Sequence, residues 1–191
     1  MDVELLKQRI REDGLLIGNN ILKVDSFLNH QLDPQLLLEL GREFARRFRP
    51  DGVTKILTVE ASGIAVAVMV GLELGVPVLF AKKKQPSTLV EEVYAAEAFS
   101  FTKQEQVSVC VSRRYLTAED RVLIIDDFLA QGAAAKALVS LVEQAGASLV
   151  GVGVVVEKAF QPGGKELREA GIRVEALARI GAFTEKGVEF V

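Results

Sequence analysis

Val122-Leu-Ile-Ile-Asp-Asp-Phe-Leu-Ala-Gln-Gly-Ala-Ala134 decides how the rest of the chain is read. Val122 to Ile125 is an apolar run rich in β-branched residues, the signature of a strand covered on both faces. Asp126 and Asp127 stand where the run ends, and the small-residue loop Ala130-Gln131-Gly132-Ala133-Ala134 opens a helical pattern over 133–145. A helix start offers unpaired backbone N–H groups and the positive end of its dipole to a phosphate, and small side chains let the anion reach the main chain. Two adjacent carboxylates can accept the hydroxyls of a sugar. Strand, acid pair, small loop and helix together describe a cradle for a sugar phosphate.

Outward from this stretch the pattern alternates. Helices are predicted over 2–12 and over 34–48, the second capped by Asp33 with Pro34 in its first turn. Strands are predicted over 55–59, 78–80, 106–111, 121–125 and 149–156, with a helix over 63–74 as well as the one over 133–145. That βαβ rhythm implies an α/β fold, a twisted parallel sheet flanked by helices, formed as one domain over residues 1–191. Ligands of such sheets bind beyond the carboxyl ends of the strands, where strand order reverses. The residues after each strand are therefore candidates as a set.

After 55–59 comes Glu60-Ala61-Ser62-Gly63, a tight small-residue turn whose backbone N–H groups can hold an anion. After 78–80 come Lys82, Lys83 and Lys84 and a stretch to about Thr102 with no clear apolar period. Segments of that length in compact domains are commonly lids. After 149–156 come Lys158, which can donate to a carbonyl, and Phe160, which can stack on a flat ring. Each feature alone also has a plain structural reading; four of them on one sheet edge point to one site.

Composition narrows the classes. A net charge of −3 without a long basic run argues against nucleic acid as a partner. The single Cys110 lies in an apolar strand pattern and is expected to be a small buried hydrophobe in a reducing compartment, so the protein is placed in the cytoplasm. The charged amphipathic start is unlike a signal peptide, and no apolar run has membrane length, so no membrane partner is expected. No His or Cys cluster has metal-ligand spacing, so no metal is expected on protein side chains alone. His30, the one histidine, has no visible acid partner and is expected to be structural or pocket-lining.

The strand, acid pair and loop over 122–134 resemble the phosphoribosyl pyrophosphate (PRPP) motif of the type I phosphoribosyltransferases. The resemblance extends over nearly the whole chain to the bacterial xanthine phosphoribosyltransferases. It is carried by Leu22-Lys-Val-Asp-Ser-Phe-Leu-Asn-His-Gln31, Val59-Glu-Ala-Ser-Gly63, Phe101-Thr-Lys-Gln104, Ile124-Ile-Asp-Asp-Phe-Leu129, Gly132 and Glu157-Lys-Ala-Phe-Gln-Pro-Gly163. It implies the type I phosphoribosyltransferase fold, with a small hood built from residues 1–33 and the chain ends, and a flexible active-site loop over 82–104. It implies a homodimer of purine salvage that converts xanthine and PRPP to xanthosine 5′-monophosphate and pyrophosphate, with Mg²⁺ accompanying PRPP. By the same resemblance Asp126 and Asp127 hold the ribose, Ala130 to Ala134 the 5′-phosphate, and Glu60 to Gly63 the pyrophosphate. Leu22 and Asn29 contact the base, and Lys158 meets the purine 6-oxo group beside Phe160.

Two departures from the family pattern matter. Gln131 and Ala134 replace loop hydroxyls, so the phosphate must rest more on backbone N–H groups. Ala130 stands where some oxopurine relatives carry an Asp as general base, which leaves that role open between a base ionised in solution, Glu97 and water. An ammonium at Lys158 suits a 6-oxo group and opposes the 6-amino group of adenine, whereas an Asn29 amide can turn toward either xanthine or guanine. A guanine or hypoxanthine enzyme is therefore the nearest rival. A PRPP-binding regulator would need a DNA-binding extension for which the N-terminal segment has no room. A nicotinamide dehydrogenase would need a Gly-x-Gly-x-x-Gly after its first strand.

Overall fold

The computed structural model describes residues 3–18, 21–83, 92–100, 105–185 and 187–191. Helix α1 (Val3–Asp13) precedes a hairpin of β1 (Leu15–Ile17) and β2 (Ile21–Lys23), then one π-helical turn over Asp25–Asn29. Helix α2 (Pro34–Phe48) starts where the sequence predicts, the Asp33 carboxylate accepting from the N–H groups of Gln35 and Leu36 at 3.1 Å each. Strand β3 (Lys55–Val59), helix α3 (Gly63–Leu74) and strand β4 (Val78–Ala81) form the first parallel crossover unit. Next come β5 (Val93–Ser100), β6 (Glu105–Ser112), β7 (Arg121–Leu129), α4 (Ala133–Gln144), β8 (Ser148–Lys158), α5 (Gly163–Glu169), β9 (Val174–Thr184) and β10 (Gly187–Phe190).

Six strands form one sheet in the order β10-β9-β8-β7-β3-β4. All neighbours are parallel except β10, which returns antiparallel along β9. Strand alternation sends successive side chains to opposite layers. Ile56, Leu123 and Ile125 join one buried cluster with Leu36, Leu40, Phe44 and Phe48 of α2 and Val66 and Val70 of α3. Leu57, Val122 and Ile124 join the other, with Leu138, Leu141 and Val142 of α4 and Val109 and Val111 of β6. Both faces are thus covered, which is why β3 and β7 read as continuous apolar runs.

Three expectations are corrected. Residues 106–111 form a strand, but it pairs with β5 as an antiparallel hairpin outside the main sheet rather than as a parallel member. That hairpin also places a strand, β5, inside 82–104; Lys84 to Glu91 and Phe101 to Gln104 lie outside the described residues. Strands β7 and β8 run past their predicted ends, so Asp126, Asp127 and Lys158 belong to strands and not to the loops after them. β9, β10 and α5 had no strong apolar period to reveal them. The two chain ends meet: the Lys7 ammonium and the Arg11 guanidinium of α1 lie 5.7 and 4.9 Å from the centre of the Phe190 ring.

Candidate active site

Strand order reverses between β3 and β7. The chain leaves β3 for β4 on one side and returns to β7 on the other, and the carboxyl ends of β3 and β7 are where a ligand of such a sheet is expected. Glu60 to Gly63 leads from β3 into α3, and Ala130 to Gly132 leads from β7 into α4, so the two anion-binding candidates lie at that switch point. The Glu60–Ala61 peptide is cis. Glu60 N–H donates to the Ala81 carbonyl at 3.1 Å, and its carboxylate accepts from Lys83 N–H at 2.7 Å, tying this turn to the chain after β4.

Gly63 has to be glycine. A Cβ built there would lie 2.7 Å from Asp126 Oδ1 and closer still to Thr58 Oγ1. Asp126 is only 6 % exposed and its Oδ1 accepts from Asp127 N–H at 3.0 Å. Burial, reinforced by the like charge of Asp127, pushes the Asp126 carboxyl well above the usual carboxylate range, and the Lys83 ammonium opposes that shift. Thr58 is fully buried and its hydroxyl oxygen has no hydrogen-bond partner. This end of β3 and β7 therefore holds polar groups whose capacity is not used within the chain.

The loop after β7 is built against α5. Gly132 has φ +81°, and a Cβ there would come within 2.9 Å of Gly163 Cα. Gly163 N–H donates to the Ala130 carbonyl at 3.0 Å, and Gln131 reaches Gln161 at 3.5 Å. Gln131, Ala133 and Ala134 are half-buried, and Ala133 opens α4. Ala61 is exposed and Ser62 half-buried in the turn after β3.

Lys158 ends β8 beside β7. Its ammonium lies 5.8 Å from the ring centres of both Phe128 on β7 and Phe183 on β9, and burial lowers its pKa. Phe160 meets Phe183 edge to face at 5.2 Å and stays 41 % exposed, leaving ring surface open. Leu22 is buried in the large cluster against which Phe128 and Phe183 also pack. Asn29, at the end of the π-helical turn, carries a buried side-chain oxygen without a partner, while His30 is exposed. Phe128, Phe183 and Thr58 were not singled out from sequence. Phe128 adjoins the acid pair yet reads as one more apolar strand residue, and Phe183 lies on a strand the periodicity did not show.

Two candidate anion-binding turns and an acid pair at the switch point of a doubly covered parallel sheet, with an amine in an aromatic corner one strand away, suit a phosphoribosyl-transferring class. A family model for the phosphoribosyl transferase domain matches residues 32–172, and the chain belongs to that family. Its relatives narrow the class. It is 58 % identical over 189 residues to a xanthine phosphoribosyltransferase of Stutzerimonas stutzeri (strain A1501), covering 99 % of this chain and 100 % of the relative. It is 60 % identical over 189 residues to one from Moorella thermoacetica (strain ATCC 39073 / JCM 9320), covering 99 % and 96 %. Among solved structures, adenine phosphoribosyltransferase from Rhodothermus marinus DSM 4252 superposes with a TM-score of 0.76 at 26 % identity, covering 93 % of this chain and 98 % of that one. The Giardia lamblia enzyme complexed with 9-deazaadenine gives 0.78 at 22 % identity, covering 94 % and 98 %, a likeness of fold. The architecture is thus shared between proteins named for different bases, so the fold by itself does not choose the base.

Proposed function

We propose that this protein transfers the 5-phosphoribosyl group of PRPP to xanthine, giving xanthosine 5′-monophosphate and pyrophosphate. The observation that carries the reading is the switch point, where the Asp126–Asp127 pair stands between two candidate anion-binding turns with Lys158 one strand away. The α4 start and the backbone of Ala130 to Ala134 take the 5′-phosphate. Asp126 and Asp127 hold the ribose hydroxyls. The backbone of Glu60 to Gly63 takes the pyrophosphate, with Lys83 close by.

The base lies against Phe160 and Phe183, its 6-oxo group on the Lys158 ammonium and its far edge toward Leu22 and Asn29. A ring nitrogen, its proton lost to solvent, attacks the anomeric carbon as the bond to pyrophosphate breaks, and the acid pair sits where positive charge develops on the ribose. Among the described residues no three His, Cys, Asp or Glu side chains form a metal cage. Mg²⁺ entering with PRPP would be held by its phosphates and water and would neutralise the leaving pyrophosphate. A homodimer acting in cytoplasmic purine salvage belongs to the same proposal. Among the described residues no helix is long and apolar enough to cross a membrane.

One observation favours guanine as a second reading. The buried unpaired atom of Asn29 is placed as the oxygen, an acceptor that suits a 2-amino donor; turning the amide presents its NH₂ to a 2-oxo group instead. The activity is tested by mixing the protein with PRPP, Mg²⁺ and xanthine and following xanthosine 5′-monophosphate and pyrophosphate together. Equal amounts of both support transfer. Pyrophosphate without nucleotide would mean hydrolysis of PRPP and would overturn the reading.

A further inference from the structure

Glu157 is the residue before Lys158, and the chemistry just described makes no use of it. It is 2 % exposed and binds two cations. Arg168 of α5 grips it with a fork, Nη1 to Oε1 at 2.6 Å and Nη2 to Oε2 at 2.8 Å, and Arg179 of β9 donates from Nε to Oε2 at 2.9 Å. Burial alone would push the Glu157 carboxyl up, but the hydrogen bonds and charges of the two arginines outweigh it and hold the group ionised.

The same carboxylate touches the start of α5. A Cβ on Gly164 would lie 2.8 Å from Glu157 Cδ and 2.8 Å from Arg168 Nη1. One residue earlier, a Cβ on Gly163 would lie 2.5 Å from both the Ala130 carbonyl oxygen and Gly132 N. Contact is therefore continuous from the Glu157 carboxylate through Gly164 and Gly163 to the loop after β7. At the other end the chain passes from Glu157 directly to Lys158.

Resting on the phosphoribosyltransferase reading for the roles of the two ends, we propose that Glu157 and Arg168 are positioning residues that set one rigid distance between the base-binding lysine and the phosphate loop. Two substrates brought together for an in-line displacement need that distance fixed, because a misplacement of about 1 Å can cost about 10²-fold in rate. The fork ties the strand that carries Lys158 to the helix that backs the loop. Loosening it should weaken the grip on both ligands at once.

The experiment measures xanthine and ribose 5-phosphate binding separately by calorimetry, with steady-state kinetics, for the wild type, Arg168→Ala, Arg168→Lys and Lys136→Ala. Lys136→Ala is the control: it removes the exposed Lys136–Glu166 bridge between α4 and the same helix without touching Glu157. Arg168→Ala is expected to weaken both ligands at least fivefold and to lower kcat by a larger factor than it raises either KM. Arg168→Lys, which keeps the charge but loses the fork, is expected to change both about threefold. Lys136→Ala is expected to stay within twofold of the wild type. If Arg168→Ala does not fold, Arg168→Lys decides. Unchanged affinities in a folded variant, a loss confined to one ligand, or an equal loss in Lys136→Ala would each overturn the proposal. Failure of the wild type to bind xanthine or ribose 5-phosphate would instead overturn the functional reading on which it rests.

Discussion

Replacing Gly132 by alanine isolates what the phosphate loop requires of its backbone. Gly132 has φ +81°, in the left-handed region where a Cβ costs about 1–2 kcal/mol. Its Cβ would also come within 2.9 Å of Gly163 Cα, which is main chain and cannot swing aside. Overpacking of that kind adds about 1–3 kcal/mol, so the total is about 2–5 kcal/mol. Gly171 supplies the reference, with φ +80° and no atom within 4 Å of its added Cβ, so Gly171→Ala meets the conformational cost alone. In a chain of this size 1 kcal/mol moves Tm by about 2–4 °C. Gly171→Ala should lower Tm by about 4 °C and Gly132→Ala by about 10 °C, measured by scanning calorimetry. Any shift of the loop moves the N–H groups assigned to the 5′-phosphate, so Gly132→Ala should also raise the KM for PRPP while Gly171→Ala leaves it unchanged. Equal Tm losses in the two variants would refute the close-approach argument, and an unchanged PRPP KM in Gly132→Ala would remove the loop from the binding site.

Other residues make equally specific predictions. Asp127→Asn should impair PRPP use while circular dichroism and Tm stay near wild type, because Asp127 is half-buried and its N–H bond to Asp126 survives the change. Lys158→Met keeps the apolar stem between Phe128 and Phe183 and removes the charged donor; at about 1.5–3 kcal/mol for such a bond, xanthine affinity should fall about 10- to 150-fold, more than that of PRPP, in separate titrations. Glu43 is a pH-dependent stabiliser of α2. Hydrogen bonds from Arg46 at 2.8 and 3.0 Å, outweighing burial, and one from Arg47 at 2.9 Å hold its carboxyl down at about 2, against an ordinary 4.5. Its contribution is therefore full above about pH 4.5 and is lost as pH falls toward about 2, amounting to at most about 3 kcal/mol before screening at the exposed Arg46. The Tm gap between wild type and Glu43→Gln should be widest at neutral pH and close below pH 3.

The sequence made the strands of the switch point legible because β3 and β7 are covered on both faces, which leaves the unbroken apolar run Val122 to Ile125 in β7 and a β-branched, mostly apolar one in β3. The Asp33–Pro34 start of α2 was legible for a local reason, a carboxylate and a fixed φ that act within three residues. β9 was missed because Val174-Glu-Ala-Leu-Ala-Arg-Ile180 mixes small and charged residues, Glu175 and Arg179 being engaged with Arg47 and Glu157 far away in sequence. Missing β9 hid Phe183, and with it the aromatic corner that receives Lys158. Residues 106–111 read as a strand, but its antiparallel partner β5 was not legible, because an apolar alternation shows that a strand exists and not which partner it takes. Thr58, Gly163 and Gly164 matter through contacts with residues remote in the chain, which no local pattern encodes.

The most direct test of the central claim is nucleotide formation from PRPP and Mg²⁺ with xanthine, guanine, hypoxanthine and adenine measured in parallel, compared as kcat/KM. The account predicts xanthine first and adenine last, because Lys158 presents a donor to position 6. Guanine or hypoxanthine in first place would keep the chemistry but contradict the choice of base at Asn29, and adenine in first place would contradict the role given to Lys158.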